Sequence, residues 1–155
     1  MSFQYDFVSY FAPMLIGIAS DHGGYRLKES LKKLVKSADW KDYGTNSADS
    51  VDYPDYGHSL AVAVNAGEVE LGVLICGTGI GISIAANKTK NIRAALCTNV
   101  FMAKMAREHN DAQILVLGGR NSSLFNAIEM VQAFCNTEFA GGRHERRVQK
   151  IEPLP

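Results

Sequence analysis

The stretch VLICGTGIGISIAANK, residues 73–88, closes an apolar run on a cysteine and then sets three glycines within five residues. VLIC reads as a buried strand and GISIAANK as the start of a helix, so Gly77, Thr78, Gly79, Ile80 and Gly81 form a strand-to-helix turn. Backbone N–H groups at such a turn point outward and bind anions. Cys76 stands at its lip. The positive end of a helix favours a thiolate, drawing an ordinary thiol pKa of about 8.5 toward neutrality, where a general base works well. A plainer role fits the same residues: a tight turn that needs glycine at positive φ, with a cysteine buried as a small hydrophobe. GTGIG lacks the GxGxxG spacing of the dinucleotide fingerprint and follows the third strand rather than the first, and no Lys-Ser/Thr pair follows to make a P-loop.

Asp21 and His22 directly follow the first apolar run, and His109-Asn110-Asp111 closes a helical segment ahead of the fifth strand. Histidine exchanges a proton near neutral pH; at a helix C-terminus it also simply complements the dipole. His58 falls inside a helical pattern and reads as surface or packing. Arg143 and Arg147, in the tail GGRHERRVQKIEPLP, stand four apart, so on a helix they share a face and can grip one phosphate. Arg120, after the fifth strand, is a third phosphate ligand by type. For the tail, a solvated basic helix is the alternative. Cys97 and Cys135 have no glycine nest and read as structural.

The 155 residues suit one domain, and 46% hydrophobic with 21% charged residues is a globular composition. Sixteen basic residues balance sixteen acidic ones, so no net field draws the chain to nucleic acid or a membrane. Any anion must be met by local charge. Three widely spaced cysteines suit a reducing, cytoplasmic setting better than a disulfide framework. No CxxC or paired His/carboxylate spacing recommends a metal, and no apolar run reaches bilayer length. Residues 1–13, MSFQYDFVSYFAP, hold five of the chain's aromatics without a basic start or clean apolar core. They read as an N-terminal extension, or as sequence upstream of a start at Met14, rather than a signal peptide. Residues 14–155 then form a single domain closed by a basic helix or tail. The sequons NKT and NSS carry no meaning in a reduced, cytosolic chain.

Five strands are expected at MLIGIAS (14–20), DWKDYG (39–44), LGVLIC (71–76), RAALCT (93–98) and QILVLGG (113–119). Helices are expected at GYRLKESLKKLVKS, with Leu27, Leu31, Leu34 and Val35 on one face, and at YPDYGHSLAVAVNAG, GISIAANK, VFMAKMAREHN and SLFNAIEMVQAFCN. Strand–helix alternation with nearly continuous apolar strands calls for a Rossmann-like parallel sheet between two helix layers, an α/β/α sandwich. Ligands in such folds sit beyond the carboxyl ends of the strands, where SDHGG, GTNSADSVDYP, CGTGIG, TNV and GGRN fall.

Taken in order, SDHGG, SVDYPDYG, CGTGIGISIAANK, REHNDAQILVLGGR and GGRHERR resemble the type B ribose-5-phosphate isomerases, from Met14 to about Ile151. The resemblance implies a homodimer, or a dimer of dimers, with shared active sites. It also implies aldose–ketose isomerisation of the phosphorylated pentose ribose 5-phosphate to ribulose 5-phosphate through an enediolate, a step of the pentose phosphate pathway, with no metal or organic cofactor. Cys76 matches the base that moves the proton between C2 and C1, and His109 the acid/base that opens the furanose ring. Gly77, Thr78, Gly79, Ile80 and Gly81 match the loop that holds the enediolate oxygen. Asp21, His22, Tyr53 and Asn110 match sugar-contacting positions. Arg120, Arg143 and Arg147 match phosphate-contacting ones, the tail arginines completing a neighbouring subunit's site. One branch of the family carries a glutamate near the loop and lacks the cysteine base; Cys76 and Ser83 place this chain in the other branch.

That chemistry is self-consistent. A proton removed α to a carbonyl leaves charge that preorganised amides stabilise by a few kcal/mol, and arginines on the remote phosphate supply orientation. Galactose-6-phosphate or allose-6-phosphate isomerisation on the same scaffold is the nearest alternative. A non-catalytic phosphosugar-binding module would leave Cys76 and His109 idle, and a metal-dependent isomerase would use Asp21, His22 and His109 as ligands.

Overall fold

The computed structural model describes residues 14–152. The expected N-terminal extension over residues 1–13 lies outside the described residues. Five strands, β1 (Met14–Ser20), β2 (Ala38–Asp42), β3 (Leu71–Cys76), β4 (Ala94–Leu96) and β5 (Ile114–Gly118), form one parallel sheet in the order β2-β1-β3-β5-β4. Helices α1 (Tyr25–Leu34), α2 (Tyr53–Asn65), α3 (Ile80–Ala86), α4 (Val100–Asn110), α5 (Leu124–Cys135) and α6 (Arg143–Gln149) complete it.

Strand order and handedness dictate the layers. β1→β2 and β4→β5 step one way along the sheet, whereas β2→β3 and β3→β4 step the other. Right-handed crossovers then place α1 and α4 on one face and α2 and α3 on the opposite face. The two cores agree. Ile18, Val73, Ile75, Leu115 and Leu117 pack with Leu31, Ala103, Met130 and Phe134 of α1, α4 and α5. Leu74, Cys76 and Val116 pack with Leu60 and Ile82 of α2 and α3. Alternate residues of one strand thus serve both layers, as a doubly covered parallel sheet requires.

Local signals set several boundaries. The Asn99 side chain accepts from Met102 N–H at 2.9 Å and that of Ser123 from Asn126 N–H at 3.2 Å, capping α4 and α5. Pro54 sits in the first turn of α2. β4 is shorter than expected because it is an edge strand: the Asn87 amide replaces a missing neighbour, bonding Ala94 N–H at 2.8 Å and Ala94 C=O at 2.9 Å.

One side chain departs from the expected amphipathic face. Leu34 is 51% exposed, because α1 ends there and Val35 turns inward. Lys28 instead is wholly buried in that layer. Its ammonium bonds both Asp42 carboxylate oxygens at 2.7 and 2.8 Å and Thr45 C=O at 2.7 Å, using all three donors. Burial acts to raise the Asp42 carboxyl, but hydrogen bonds from Lys28, Lys32 and the Gly44 N–H outweigh it and hold the carboxyl below its ordinary value. Its stabilisation is therefore complete above the ordinary carboxylate range and is lost as pH falls through that range and below it. Asp42→Asn leaves the Lys28 ammonium unpaired. The expected cost in urea unfolding at pH 7 is about 2–3 kcal/mol, the partly open carboxylate keeping it below a fully buried pair, and the gap to wild type should close below about pH 4.

Candidate active site

Three loops meet at the C-terminal edge of the central strands. Asp21 N–H donates to Ile75 C=O at 3.2 Å, Gly119 N–H to Cys76 C=O at 2.8 Å, and Arg120 N–H to Gly77 C=O at 2.9 Å. The loops after β1, β3 and β5 are thereby stitched together across the point where strand order reverses. Cys76 ends β3, 4% exposed, and its Sγ accepts a hydrogen bond from Gly79 N–H at 3.2 Å. Gly79 adopts φ +80°, and a Cβ there would lie 2.5 Å from Leu96 Cδ1 and 3.0 Å from the Leu117 carbonyl. Only glycine fits.

The other expected residues on this edge surround that turn. The Arg120 guanidinium overlies Gly77 and the Tyr53 ring, at the start of α2, overlies Gly81, so closely that a Cβ would come within 2.9 and 2.6 Å respectively. Thr78 Oγ1 accepts from Ile80 N–H at 3.3 Å, and Ser83 Oγ donates back to Ile80 C=O at 2.7 Å. Two amides of the turn, those of Gly79 and Ile80, are thus already engaged by Cys76 and Thr78. Asp21 is buried, and one carboxylate oxygen accepts from Gly24 N–H at 3.1 Å ahead of α1. His22 Nδ1 lies 3.2 Å from Val51 N. The Val51 carbonyl lies at the same 3.2 Å, so Nδ1 meets both backbone groups of Val51.

His109, Asn110, Arg143 and Arg147 lie elsewhere in the chain. α4 runs back from the C-terminal edge, and Asn110 and Asp111 precede β5 at the opposite edge. Ile114 pairs with Gly72 there, whereas Gly118 pairs with Cys76. About 13 Å of strand separates the two levels. Arg143 and Arg147 are exposed on α6, beside the end of α4, where Ala140 N–H donates to Glu108 C=O at 3.0 Å. One chain therefore carries the two groups of expected residues at opposite ends of its sheet.

His144 is a residue that sequence reasoning passed over. Its ring stacks on that of His109, centroids 4.2 Å apart and planes 11° from parallel. Burial, and then the positive neighbours His109, Arg143 and Arg147, push its pKa below the ordinary value, so it resists protonation as pH falls. Its place beside Arg143 was visible in the sequence; its partner at the end of α4, with β5 and α5 intervening, was not. Cys97 is buried and its thiol is pushed up to about 11 by burial. Burial also pushes Cys135 up to about 12, against the opposing charge of Arg107. Both are poor nucleophiles at neutral pH. Among the described residues no group of three or more His, Cys, Asp or Glu is placed to hold a metal, and no helix is long and apolar enough to cross a membrane.

Fold and site together define an α/β protein built to hold a small polar molecule beyond the central strands of a parallel sheet. The profile of the Ribose/Galactose Isomerase family matches residues 16–151, and the chain belongs to that family. Ribose-5-phosphate isomerase B of Escherichia coli is 44% identical over 141 residues, covering 90% of this chain and 95% of its own. The solved ribose-5-phosphate isomerase B of Clostridium thermocellum is 54% identical with a TM-score of 0.87, covering 89% of this chain and 95% of its own. That of Mycoplasma genitalium, solved with bound ribulose-5-phosphate, is 41% identical with a TM-score of 0.82, covering 88% and 93%.

Gly79→Ala tests the turn. A left-handed backbone disfavours alanine by about 1–2 kcal/mol, and the clash with Leu96 and Leu117 adds to that. Thermal unfolding should shift down by several degrees, and alkylation of Cys76, no longer held by the Gly79 amide, should quicken.

Proposed function

We propose that this chain interconverts D-ribose 5-phosphate and D-ribulose 5-phosphate through a cis-enediolate, with each active site shared between two copies. The observation that carries the reading is the Cys76 thiol fixed by the Gly79 amide at the edge of the central strand, facing a turn overlain by Tyr53 and Arg120. The ribulose-5-phosphate held by the Mycoplasma relative supports the substrate class.

His109 opens the furanose, giving its proton to the ring oxygen as the C1–O bond to that oxygen breaks. Solvent water takes the C1 hydroxyl proton, and a proton from water restores His109. The Cys76 thiolate takes the C2 proton of the open aldose, and the electron pair moves to the C1 oxygen. The turn amides that Cys76 and Thr78 leave unengaged receive that charge where it develops. A proton passes from the C2 oxygen to the C1 oxygen, and the Cys76 thiol returns its proton to C1, leaving the ketose. Asp21, His22, Tyr53 and Asn110 hold the sugar hydroxyls, while Arg120, Arg143 and Arg147 hold the phosphate. Free Cys76, Cys97 and Cys135 fit a cytoplasmic setting.

The opposed half-sites support the second copy. Cys76, Tyr53 and Arg120 of one protomer need His109, Asn110, Arg143 and Arg147 of another. Large apolar side chains left in water favour the same assembly: Ile80 and Ile84 on α3, Phe101 and Met102 on α4, Leu124 and Phe125 on α5. The helix starts that bear the last four are tied together, Asn126 Nδ2 donating to Thr98 C=O at 2.9 Å.

Ketose formation from ribose 5-phosphate should persist with excess chelator and fall about 10³-fold or more in folded Cys76→Ala. Activity surviving in that variant would move the base elsewhere. Wild-type inactivity on ribose 5-phosphate with turnover of a six-carbon aldose 6-phosphate would reassign the substrate. Mixing inactive Cys76→Ala with inactive His109→Asn should restore about a quarter of wild-type activity, because half of randomly paired dimers keep one intact site. No recovery after subunit exchange would place both residues in the same protomer's site.

A further inference from the structure

α6 carries the tail arginines yet buries none of its own residues. It is a seven-residue helix that cannot hold itself in place. The His109–His144 stack fixes one side of it. The Ala140 N–H bond to the Glu108 carbonyl holds the chain ahead of it, and the segment after it is held by Arg93, at the foot of β4, whose side chain is 14% exposed. Arg93 Nε donates to Asn110 C=O at 3.0 Å and Asp111 C=O at 3.2 Å, and Nη2 to Asp111 C=O at 3.0 Å. Nη1 donates to Glu152 Oε1, just past α6, at 2.5 Å. Its backbone is anchored in turn: Arg93 N–H donates to Gln113 Oε1 at 2.8 Å, and Arg93 C=O accepts from Gln113 N–H at 3.1 Å.

We infer that Arg93 is a positioning residue that locks the end of α4 and the segment after α6 into one unit, so that His109, Asn110, Arg143 and Arg147 enter the second copy's site in fixed relation. The inference rests on the shared-site reading above. Asn110 and Asp111 present carbonyls left over at a helix end, and Asp111 leaves the helix at φ +46°. A cation there complements the dipole. Only a planar fork can bind two successive carbonyls on one side and a carboxylate on the other, which an ammonium on a single stem does not reproduce. Arg107 strengthens the same corner, Nη1 bonding Asp111 Oδ1 at 2.9 Å and Ala112 C=O at 2.7 Å. The Arg93 guanidinium is thus a tie between the end of α4 and the far side of α6 that adds to the His109–His144 stack.

The test separates the two arms of the clamp in the full-length enzyme. Glu152→Ala frees α6 but leaves the α4 carbonyls bound, so KM for ribose 5-phosphate should rise about tenfold with kcat within about twofold. Arg93→Gln frees both. It should raise KM and also raise, by about tenfold, the ratio of C1 hydrogen exchange in ribulose 5-phosphate in deuterated water to net ribose 5-phosphate formation. Exchange needs only Cys76, because ribulose 5-phosphate is open-chain, whereas ring closure needs a correctly held His109. His109→Asn is the control and should raise the same ratio. If His109→Asn leaves ratio and rate unchanged, the shared-site reading falls and the clamp with it. If His109→Asn raises the ratio while KM in Glu152→Ala and the ratio in Arg93→Gln stay at wild-type values, the clamp alone falls. Should Arg93→Gln not fold, KM in Glu152→Ala decides.

Discussion

Three loops have to touch backbone to backbone at the centre of the C-terminal edge, and most of the site follows from that contact. The carbonyls of Ile75, Cys76 and Gly77 each accept an amide from a neighbouring loop, so the end of β3 is fixed from both sides. Side chains cannot intervene: a Cβ on Gly119 would lie 2.5 Å from the Gly23 carbonyl. Glycine at this crossing is a packing demand before it is a catalytic one. The consequence is chemical all the same. Cys76 arrives at the edge with its thiol toward α2 and α3 and an amide of its own turn directed at it, in a position that thermal motion of a surface loop would not hold to the tolerance catalysis needs.

A parallel sheet with antiparallel helices sends every helix back to the opposite edge, and this imposes a division of labour. Residues that follow strands gather at one end; residues that end helices gather at the other. Cys76, Asp21, Arg120 and the start of α2 belong to the first set, His109 and Asn110 to the second. The shared site proposed above draws one set from each of two copies, and the exposed apolar side chains at the starts of α3, α4 and α5 fit that proposal.

Charge is handled differently at the two ends. Near β1 and β2, the wholly buried Lys28 is matched by the Asp42 carboxylate and the Thr45 carbonyl, which tie α1 to the loop leading toward Val51 and Tyr53. At the far edge Arg143, Arg146 and Arg147 stay in water, and burial followed by its positive neighbours lowers the pKa of His144. Unpaired positive charge held in solvent is what an incoming phosphate requires.

The strand and helix sequence was legible because periodicity and capping residues act locally. α4 falls on VFMAKMAREHN, and α2 ends at Asn65, two residues before Gly67, which adopts φ +74°. The turn after β3 could be placed for the same reason: an apolar run, a cysteine and alternating glycines admit few conformations. Leu34 was misplaced because helix length, set by where Val35 is pulled into the core, overrode the pattern. Lys28 gave no sign of burial, since its partners Asp42 and Thr45 come from the end of β2 and the loop after it. Nor could the sequence separate Cys76 from His109. Both stand beside motifs of equal clarity, and only strand order and helix direction put them at opposite ends of the sheet. Residue types and spacing determined which groups could do chemistry; the long-range pairing of strands decided which of them one chain can bring together.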